Sequence, residues 1–250
     1  MKLIKRTLVI VLVCFLLLSL HSCIPFYALA NNGVNPIVFI KPVYTDSALV
    51  TSYIGGKYTH TIDSAYSHKN EVNYFGQLNW YQTHTLKHYN FSYGAFGYLG
   101  NYKVAELENF KGNKKYYGGG LSGEFCLNIP LKCIDLRVFG IKGSIYYENG
   151  GFTKFRRTAA EQNLISGVTS SQFAYNISYM SGYEFKYKNS SFGLEGSTGA
   201  TYFIGDKPAF LTFAANAHYS YKQYIAYLLC TESVFGIGGE YSIGFTYRLK

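Results

Sequence analysis

The spacing most suggestive of chemistry is a run of glycines in the middle of the chain. Gly118, Gly120 and Gly123 match the G-x-G-x-x-G pattern that binds the pyrophosphate of a dinucleotide. That pattern needs a strand before it, a helix after it and an acidic residue about 20 positions further on. Here the glycines lie within a stretch of alternating apolar and polar residues. We therefore expect them to leave room for bulky neighbours inside a strand, and we predict no cofactor.

Histidine and serine could supply acid–base or nucleophilic catalysis, but their spacing indicates neither. His84 and His88 are four positions apart, which suits a metal ion only on a helix, whereas here the spacing spans a predicted turn. The G-x-S-x-G signature of serine hydrolases does not occur in the sequence. We predict no catalytic residue and no metal site. A membrane-embedded hydrolase stays as an alternative, because the members of a catalytic triad meet in space rather than in sequence.

Two of the five cysteines have a spacing that suggests a covalent link. Cys126 and Cys133 flank residues 127–132, in which Pro130 suits a turn. If the flanking strands pair symmetrically about this turn, the two cysteines lie directly opposite each other, at a separation that a disulfide can bridge. The sequence therefore predicts a disulfide or a close thiol pair.

The same register predicts a cluster of charges next to the two cysteines. Glu124 would lie opposite Asp135 and diagonal to Arg137, so that the arginine neutralises two carboxylates. The alternation of the two strands places all three side chains on the polar face.

A basic cluster lies in the longest polar stretch between predicted strands. Lys154, Arg156 and Arg157 are followed by Thr158 and Glu161, whose spacing is that of a capping box, so a short helix is predicted over 159–165. Two interpretations are open: a surface for anionic lipid headgroups or glycans, or a solvated loop.

The composition and periodicity of the chain indicate the elements that must position these residues. Charged residues make up 15% of the chain and aromatic residues 18%, with 26 Gly and 26 Tyr. The period is two over most of the chain after residue 45, as in strands with one apolar face. We predict ten strands, at 47–58, 70–81, 86–98, 115–127, 133–147, 171–187, 190–204, 209–220, 223–231 and 235–249.

The length of these strands and of their connections points to a membrane. Most predicted strands match or exceed the roughly 9–11 residues that a tilted transmembrane strand needs. Short connections alternate with longer ones, as in barrels with short periplasmic turns. We predict an all-β, antiparallel up-and-down transmembrane β-barrel of about ten strands over 46–250, with 8 or 12 strands as alternatives. In segment 235–249 the odd-numbered residues should face lipid. A soluble sandwich or lipocalin-like barrel is the alternative.

The N-terminus has the form of a secretion signal. Three basic residues precede an apolar stretch over 8–20 that is too short to span a bilayer. Cys23 ends a lipobox-like sequence, which predicts a signal peptide over 1–22 and lipidation at Cys23. The alternative is cleavage after Ala30, at an A-x-A site. Residues 23–45 would then be a periplasmic linker, with the N-terminus of the mature chain in the periplasm.

Three short motifs follow one another near the N-terminus: Ser22-Cys23-Ile24-Pro25-Phe26-Tyr27, then Asn35-Pro36, then Tyr53-Ile54-Gly55-Gly56. This order resembles that of Bacteroidota-type outer-membrane lipoproteins, which continue as a β-barrel to the C-terminus. The resemblance implies an outer-membrane lipoprotein barrel without an assigned activity.

We therefore expect an outer-membrane barrel with a structural or surface-interaction role and no catalysis. A narrow small-solute channel and a membrane-embedded lipid hydrolase are the alternatives. The expected partners are outer-membrane lipid and the barrel-assembly machinery, with no nucleic acid; the sequence identifies no surface ligand.

Overall fold

A computed structural model of the chain describes residues 28, 30, 36–41, 49–62, 71–105, 107–164, 168–205, 210–233 and 239–249. Nearly all of these residues belong to strands. In chain order the strands are β1 (Leu49–Ile62), β2 (Val72–Thr85), β3 (Tyr89–Val104), β4 (Gly112–Pro130), β5 (Ile134–Gly150), β6 (Phe173–Tyr187), β7 (Ser190–Phe203), β8 (Phe210–Tyr221), β9 (Tyr224–Ser233) and β10 (Gly239–Arg248). A short 3₁₀ helix, Glu108–Phe110, precedes β4, and helix α1, Gly151–Glu161, follows β5.

The ten strands form one closed barrel. Each strand pairs antiparallel with its neighbours in the sequence, and β1 pairs with β10 to close the sheet. Closure leaves no strand edge without a hydrogen-bonding partner, which is what the backbone requires in an apolar solvent. The prediction of a ten-strand antiparallel barrel is confirmed. The largest difference among the strand ends is in β3, which continues to Val104 instead of ending at residue 98.

The two ends of the barrel differ in their connections. At one end, here called the turn end, residues 86–88, 131–133, 188–189 and 222–223 form short turns. The opposite end, here called the loop end, carries α1 and the connection before β4. Strand β1 begins at the turn end and β10 finishes there, paired with each other.

Helix α1 begins eight residues earlier than the capping-box spacing predicts. Gly150 has a φ of 121°, a backbone conformation that glycine adopts without steric cost, and it turns the chain from β5 directly into α1. Thr158 therefore lies within the helix rather than at its N-terminus. The backbone of Gly150, not a side-chain cap, sets where this helix starts.

Side chains alternate between the lumen and the outer wall of the barrel. In β10, Tyr241, Ile243 and Phe245 are exposed on the outer wall, whereas Ser242 and Thr246 are buried inside. Over Gly239–Arg248 the odd-numbered side chains therefore lie on the outer wall, as the sequence predicts, and residues 235–238 lie outside the described part of the chain. The glycines of β4 follow the same rule, because a Cβ on Gly118 would lie 2.4 Å from the Tyr98 hydroxyl, and one on Gly120 would lie 2.7 Å from the Cβ of Tyr146. These two glycines make room for tyrosines, as the sequence indicates.

The pairing of β4 with β5 differs from the predicted register. Both strands extend towards the turn, so that Pro130 pairs with Asp135 and the connection shrinks to residues 131–133. A β-bulge then leaves Val138 without a partner in this pairing, since Asn128 is opposite Arg137 and Leu127 is opposite Phe139. The extra residue reverses the alternation, so odd-numbered residues face the lumen before the bulge and even-numbered residues face it afterwards.

Candidate functional site

The lumen of the barrel is occupied by the chain's own N-terminal region. Residues Ile37, Val38, Phe39, Ile40 and Lys41 are each at most 3% exposed. Phe39 packs edge-on against Tyr81 of β2, with ring centroids 5.4 Å apart. We call residues 36–41 the luminal segment. The structure differs here from the predicted periplasmic linker, because four consecutive apolar side chains gain more from burial in the lumen than from exposure to water.

Ala30 and then the luminal segment follow β2 from the loop end towards the turn end. Near the loop end, the Asn73 side-chain amide donates to the carbonyl of Ala30 at 2.8 Å. Further along, Gln77 donates to the carbonyl of Pro36 at 2.6 Å, and the Ile40 amide donates to the Tyr81 hydroxyl at 3.3 Å. These contacts satisfy backbone groups that the irregular segment cannot pair within itself.

An ion-pair network joins the luminal segment to the barrel wall. Lys41 pairs with Glu124, and Lys142 of β5 lies 3.3 Å from Glu124 and 3.0 Å from Glu195. Arg137 lies 3.1 Å from Glu195 and 2.8 Å from Glu184.

This network balances three cations against three carboxylates, all of them buried. A buried charge is costly unless an opposite charge accompanies it. Without Lys41 the wall residues of the network would carry one more negative than positive charge. The luminal segment therefore completes the charge balance of the lumen as well as filling it.

Helix α1 closes the loop end of the lumen. Its Arg156 is fully buried, lies 3.0 Å from Glu148 and donates to the carbonyls of Thr169 and Ser171. The same Glu148 carboxylate accepts a 2.7 Å hydrogen bond from the Ala30 amide. On the neighbouring turn, Phe152 stacks on the ring of Tyr102, with centroids 4.1 Å apart.

The structure divides the predicted basic cluster. Lys154 and Arg157 are exposed, whereas Arg156 points into the barrel and pairs with Glu148. A surface for anionic ligands would therefore retain only two of the three predicted cations. The helical period explains the division, because Phe152, Arg156 and Ala159 share one face of α1 and Lys154 and Arg157 lie away from it.

The structure does not bring Cys126 and Cys133 together. Both are free, Cys126 being buried opposite Gly140 and Cys133 exposed in the turn before β5. The prediction of a disulfide or thiol pair assumed that the turn is centred between residues 129 and 130. The extension of both strands moves that centre, so the cysteines are no longer cross-strand partners.

The three residues of the predicted charge cluster acquire different partners. Glu124 and Arg137 lie in the lumen, but Glu124 is opposite Lys142 rather than Asp135. Asp135 pairs with Lys186 at 2.6 Å near the turn end. Arg137 does not make the predicted contacts with Glu124 and Asp135, because the observed register pairs β4 and β5 differently. It contacts Glu184 and Glu195 instead.

Lys142 is the main luminal charge that the sequence did not predict. Counted from Asp135 and Arg137, its even number assigns it to the outer wall, and the bulge at Val138 reverses that assignment. Lys41 falls in the predicted linker over 23–45. The apolar run of four residues directly before Lys41 was the available signal, because a solvated linker has no use for it.

One buried group on the wall contains serine, histidine and glutamate. The Ser191 hydroxyl donates to Glu184 and lies 2.6 Å from the Ser220 hydroxyl. Nε2 of His218 is 3.8 Å from Glu184, and the imidazole ring covers Gly193. Ser191 thus has a carboxylate and a hydroxyl as partners, whereas activation of a serine nucleophile needs an adjacent general base such as imidazole. This group is part of the polar packing of the lumen.

Within the described ranges, no three His, Cys, Asp or Glu side chains are grouped so as to hold a metal ion. None of the helices in those ranges is long and apolar enough to cross a membrane. Cys23, the predicted lipidation site, and the signal region lie outside the described residues.

No protein-family model matches the chain, and no curated protein sequence matches it. Among solved structures, the chain is similar to an outer membrane channel from Pseudomonas putida F1, with 9% identity and a TM-score of 0.46 over 88% of this chain and 98% of that one. It is also similar to the transport unit of the autotransporter AIDA-I from Escherichia coli, with 8% identity and a TM-score of 0.45 over 92% of this chain and 100% of that one. The beta domain of a Bordetella autotransporter aligns at 8% identity and a TM-score of 0.42, over 80% and 99% of the two chains. These likenesses assign no activity to the chain.

Proposed function

We propose that the protein is an outer-membrane β-barrel whose lumen is closed by its own N-terminal region, and that it has a structural or surface-interaction role. The observation that carries the proposal is the combination of an apolar outer wall with a lumen filled by the luminal segment. The wall suits lipid, and the filled lumen leaves the two rims as the parts available to partners.

The outer wall supports a membrane location. Leu78 and Leu99 expose 75% and 72% of their surface, and Leu121 and Ile243 each expose 61%. Soluble monomers rarely expose continuous apolar surface of this kind, whereas the lipid-facing band of an outer-membrane barrel consists of it.

Tyrosines near both rims of the barrel support the same location. Tyr187, Tyr221 and Tyr224 are exposed beside the turns of the turn end, and Tyr117 and Tyr74 are exposed towards the loop end. Tyrosine favours the membrane interface because its ring is apolar and its hydroxyl is polar. By the convention of short periplasmic turns, the turn end faces the periplasm and the loop end faces the outside.

The filled lumen favours a structural role over a general pore. A barrel of about eight strands is just filled by side chains, and the two additional strands here enclose the luminal segment. A small-solute channel would need this segment to move, which would separate Lys41 from Glu124. The buried serine–histidine–glutamate group does not support the membrane-embedded hydrolase, because the Ser191 hydroxyl donates its hydrogen bond to the carboxylate of Glu184 and not to a histidine.

Lipidation at Cys23 is part of the proposal and rests on the lipobox and on the resemblance to outer-membrane lipoproteins. Metabolic labelling with a fatty-acid analogue tests it, with Cys23→Ala as the control. We expect label on the wild-type chain only, and an equal signal from both chains would contradict lipidation at this residue.

The closed lumen is tested by planar-bilayer recording of the purified barrel. We expect the protein to be found in the outer-membrane fraction and to insert without a steady conductance. A continuous conductance on the nanosiemens scale would contradict a closed lumen, and recovery in the soluble fraction would contradict the membrane location.

A further inference from the structure

The direction of the N-terminal region through the lumen determines where the chain emerges from the barrel. Its three contacts with β2 follow the strand in order: Ala30 with Asn73, Pro36 with Gln77 and Ile40 with Tyr81. Strand β2 starts at the loop end, so Ala30 lies near the loop end and the chain then runs towards the turn end. There it joins β1, whose first residue is Leu49.

The loop-end position of Ala30 rests on contacts with two different strands. Its amide donates to Glu148, close to the end of β5, and its carbonyl accepts from Asn73, close to the start of β2. Glu148 in turn pairs with Arg156 of α1. Ala28 and Ala30 are both buried. The described part of the N-terminal region therefore begins at the loop end, not at the turn end where β1 begins.

The reach of the chain then limits where a lipid on Cys23 can lie. Cys23 precedes Ala28 by five residues, which span at most about 18 Å when fully extended. The apolar band of an outer-membrane barrel is about 25 Å tall. The luminal segment already lies buried in the passage between the two ends. A lipid on Cys23 therefore cannot reach the leaflet at the turn end.

The same contacts distinguish the two candidate processing sites. Cleavage after Ala30 would remove both alanines, and with them the buried amide that donates to Glu148 and the carbonyl to which Asn73 donates. Buried polar groups that lose their partners are costly. Processing before residue 28 keeps these contacts.

We propose that the mature chain retains Ala28 and Ala30, emerges at the loop end, and places its N-terminal anchor in the outer leaflet on the cell-surface side. This inference rests on the proposed function, since it needs a barrel in the outer membrane with its turn end in the periplasm. The partner is the lipid of the outer leaflet. The arrangement is the reverse of the periplasmic N-terminus that the sequence predicts.

The test uses cysteine accessibility on intact cells, and the chain supplies its own marker. Cys133 is exposed in a turn of the turn end, so it reports the periplasmic side. The probe is a maleimide linked to a polyethylene glycol chain too large to cross the outer membrane. Position 27 is tested as Tyr27→Cys in a Cys133→Ser background, with Cys133→Ser alone as the matched control.

Cys230 on β9 is also exposed and is present in every variant, so the signal of Cys133 is the difference between the wild type and Cys133→Ser. We expect the thiol introduced by Tyr27→Cys to react on intact cells and Cys133 to react only after the outer membrane is permeabilised. If both thiols are protected until permeabilisation, the N-terminus lies at the turn end and the inference fails, while the membrane barrel stands. If Cys133 reacts on intact cells, the proposed orientation of the barrel fails instead.

Intact mass spectrometry of the wild-type mature chain provides a second test that does not depend on the variants. A mature chain that begins before residue 28 supports the inference. A chain that begins at Asn31 would overturn it, whatever the labelling shows.

Discussion

At the scale of single residues, buried charges fix the arrangement of the lumen. Glu195 contacts both Arg137 and Lys142, and Lys142 also contacts Glu124, so each carboxylate of this group shares its cations with a neighbour. Such a group specifies one packing, because moving any member leaves the buried charges around it unbalanced. The sequence predicts that Glu124 and Arg137 point inwards, since the alternation of side chains along each strand is enough to determine that. It does not predict their partners, because these depend on register.

The shared position of Glu195 gives a first prediction. Glu195→Gln removes one negative charge between two buried cations and should lower the free energy of unfolding by about 3–5 kcal/mol. Urea unfolding of the barrel in lipid vesicles measures it. Glu232→Gln is the matched control, because Glu232 is exposed on β9. A loss for Glu195→Gln no larger than that of the control would contradict a tightly coupled network.

The glycines of β4 give a second prediction at this scale. A Cβ on Gly120 would lie 2.2 Å from the Ile145 carbonyl oxygen, whereas one on Gly123 would meet its nearest atom at 3.6 Å. Gly120→Ala should therefore destabilise the barrel by about 1–3 kcal/mol, the usual cost of overpacking. Gly123→Ala should cost less than half as much. Equal shifts of the unfolding midpoint would contradict the packing role of Gly120.

At the scale of elements, the sequence predicts every strand but not everything that lies between and inside them. Strand positions follow from a period of two repeated over many residues, which a single irregularity does not obscure. The register of β4 against β5 depends on where the turn between them is centred and on one bulge residue, Val138, and nothing in the local pattern marks either. The start of α1 depends on the φ of Gly150. The luminal segment is marked only by its four consecutive apolar residues, which indicate burial but do not show what covers them.

The alternation of β10 gives a third prediction. Ile243 lies in the middle of the strand on the outer wall, so Ile243→Arg should reduce the stability of the inserted barrel by about 2–4 kcal/mol. Glu232→Arg is the control, since it places an arginine on the same wall close to the rim, where the cost is about 0–1 kcal/mol. The fraction of folded barrel on a gel run without heating measures both. Equal fractions would contradict a lipid-facing Ile243.

An inward arginine in β10 tests the lumen rather than the membrane. Ser242 is buried and lies 2.8 Å from the Thr59 hydroxyl, so Ser242→Arg has no open space to enter. The filled lumen makes this change costly as well. The comparison that isolates the membrane is therefore between two positions on the outer wall.

At the scale of the whole molecule, the barrel and the N-terminal region depend on each other. The wall supplies Asn73, Gln77 and Tyr81 as partners for backbone groups, and the segment supplies Lys41 to a wall group that is otherwise negative. Ten strands enclose more space than their own side chains fill, and the N-terminal region occupies the rest. A barrel assembled without this region would contain a water-filled and negatively charged passage.

The charge balance at Lys41 therefore gives a prediction for the molecule as a whole. Lys41→Glu places a carboxylate beside Glu124, and like charges in a buried site repel strongly. We expect the luminal segment to leave its position and planar-bilayer recordings to show a conductance that the wild type lacks. The passage should prefer cations, because Glu124, Glu184 and Glu195 then outnumber Arg137 and Lys142. Lys41→Arg keeps the charge and should stay closed. If the Lys41→Glu barrel folds and inserts as the wild type does but shows no conductance, the ion pair between Lys41 and Glu124 does not keep the lumen closed.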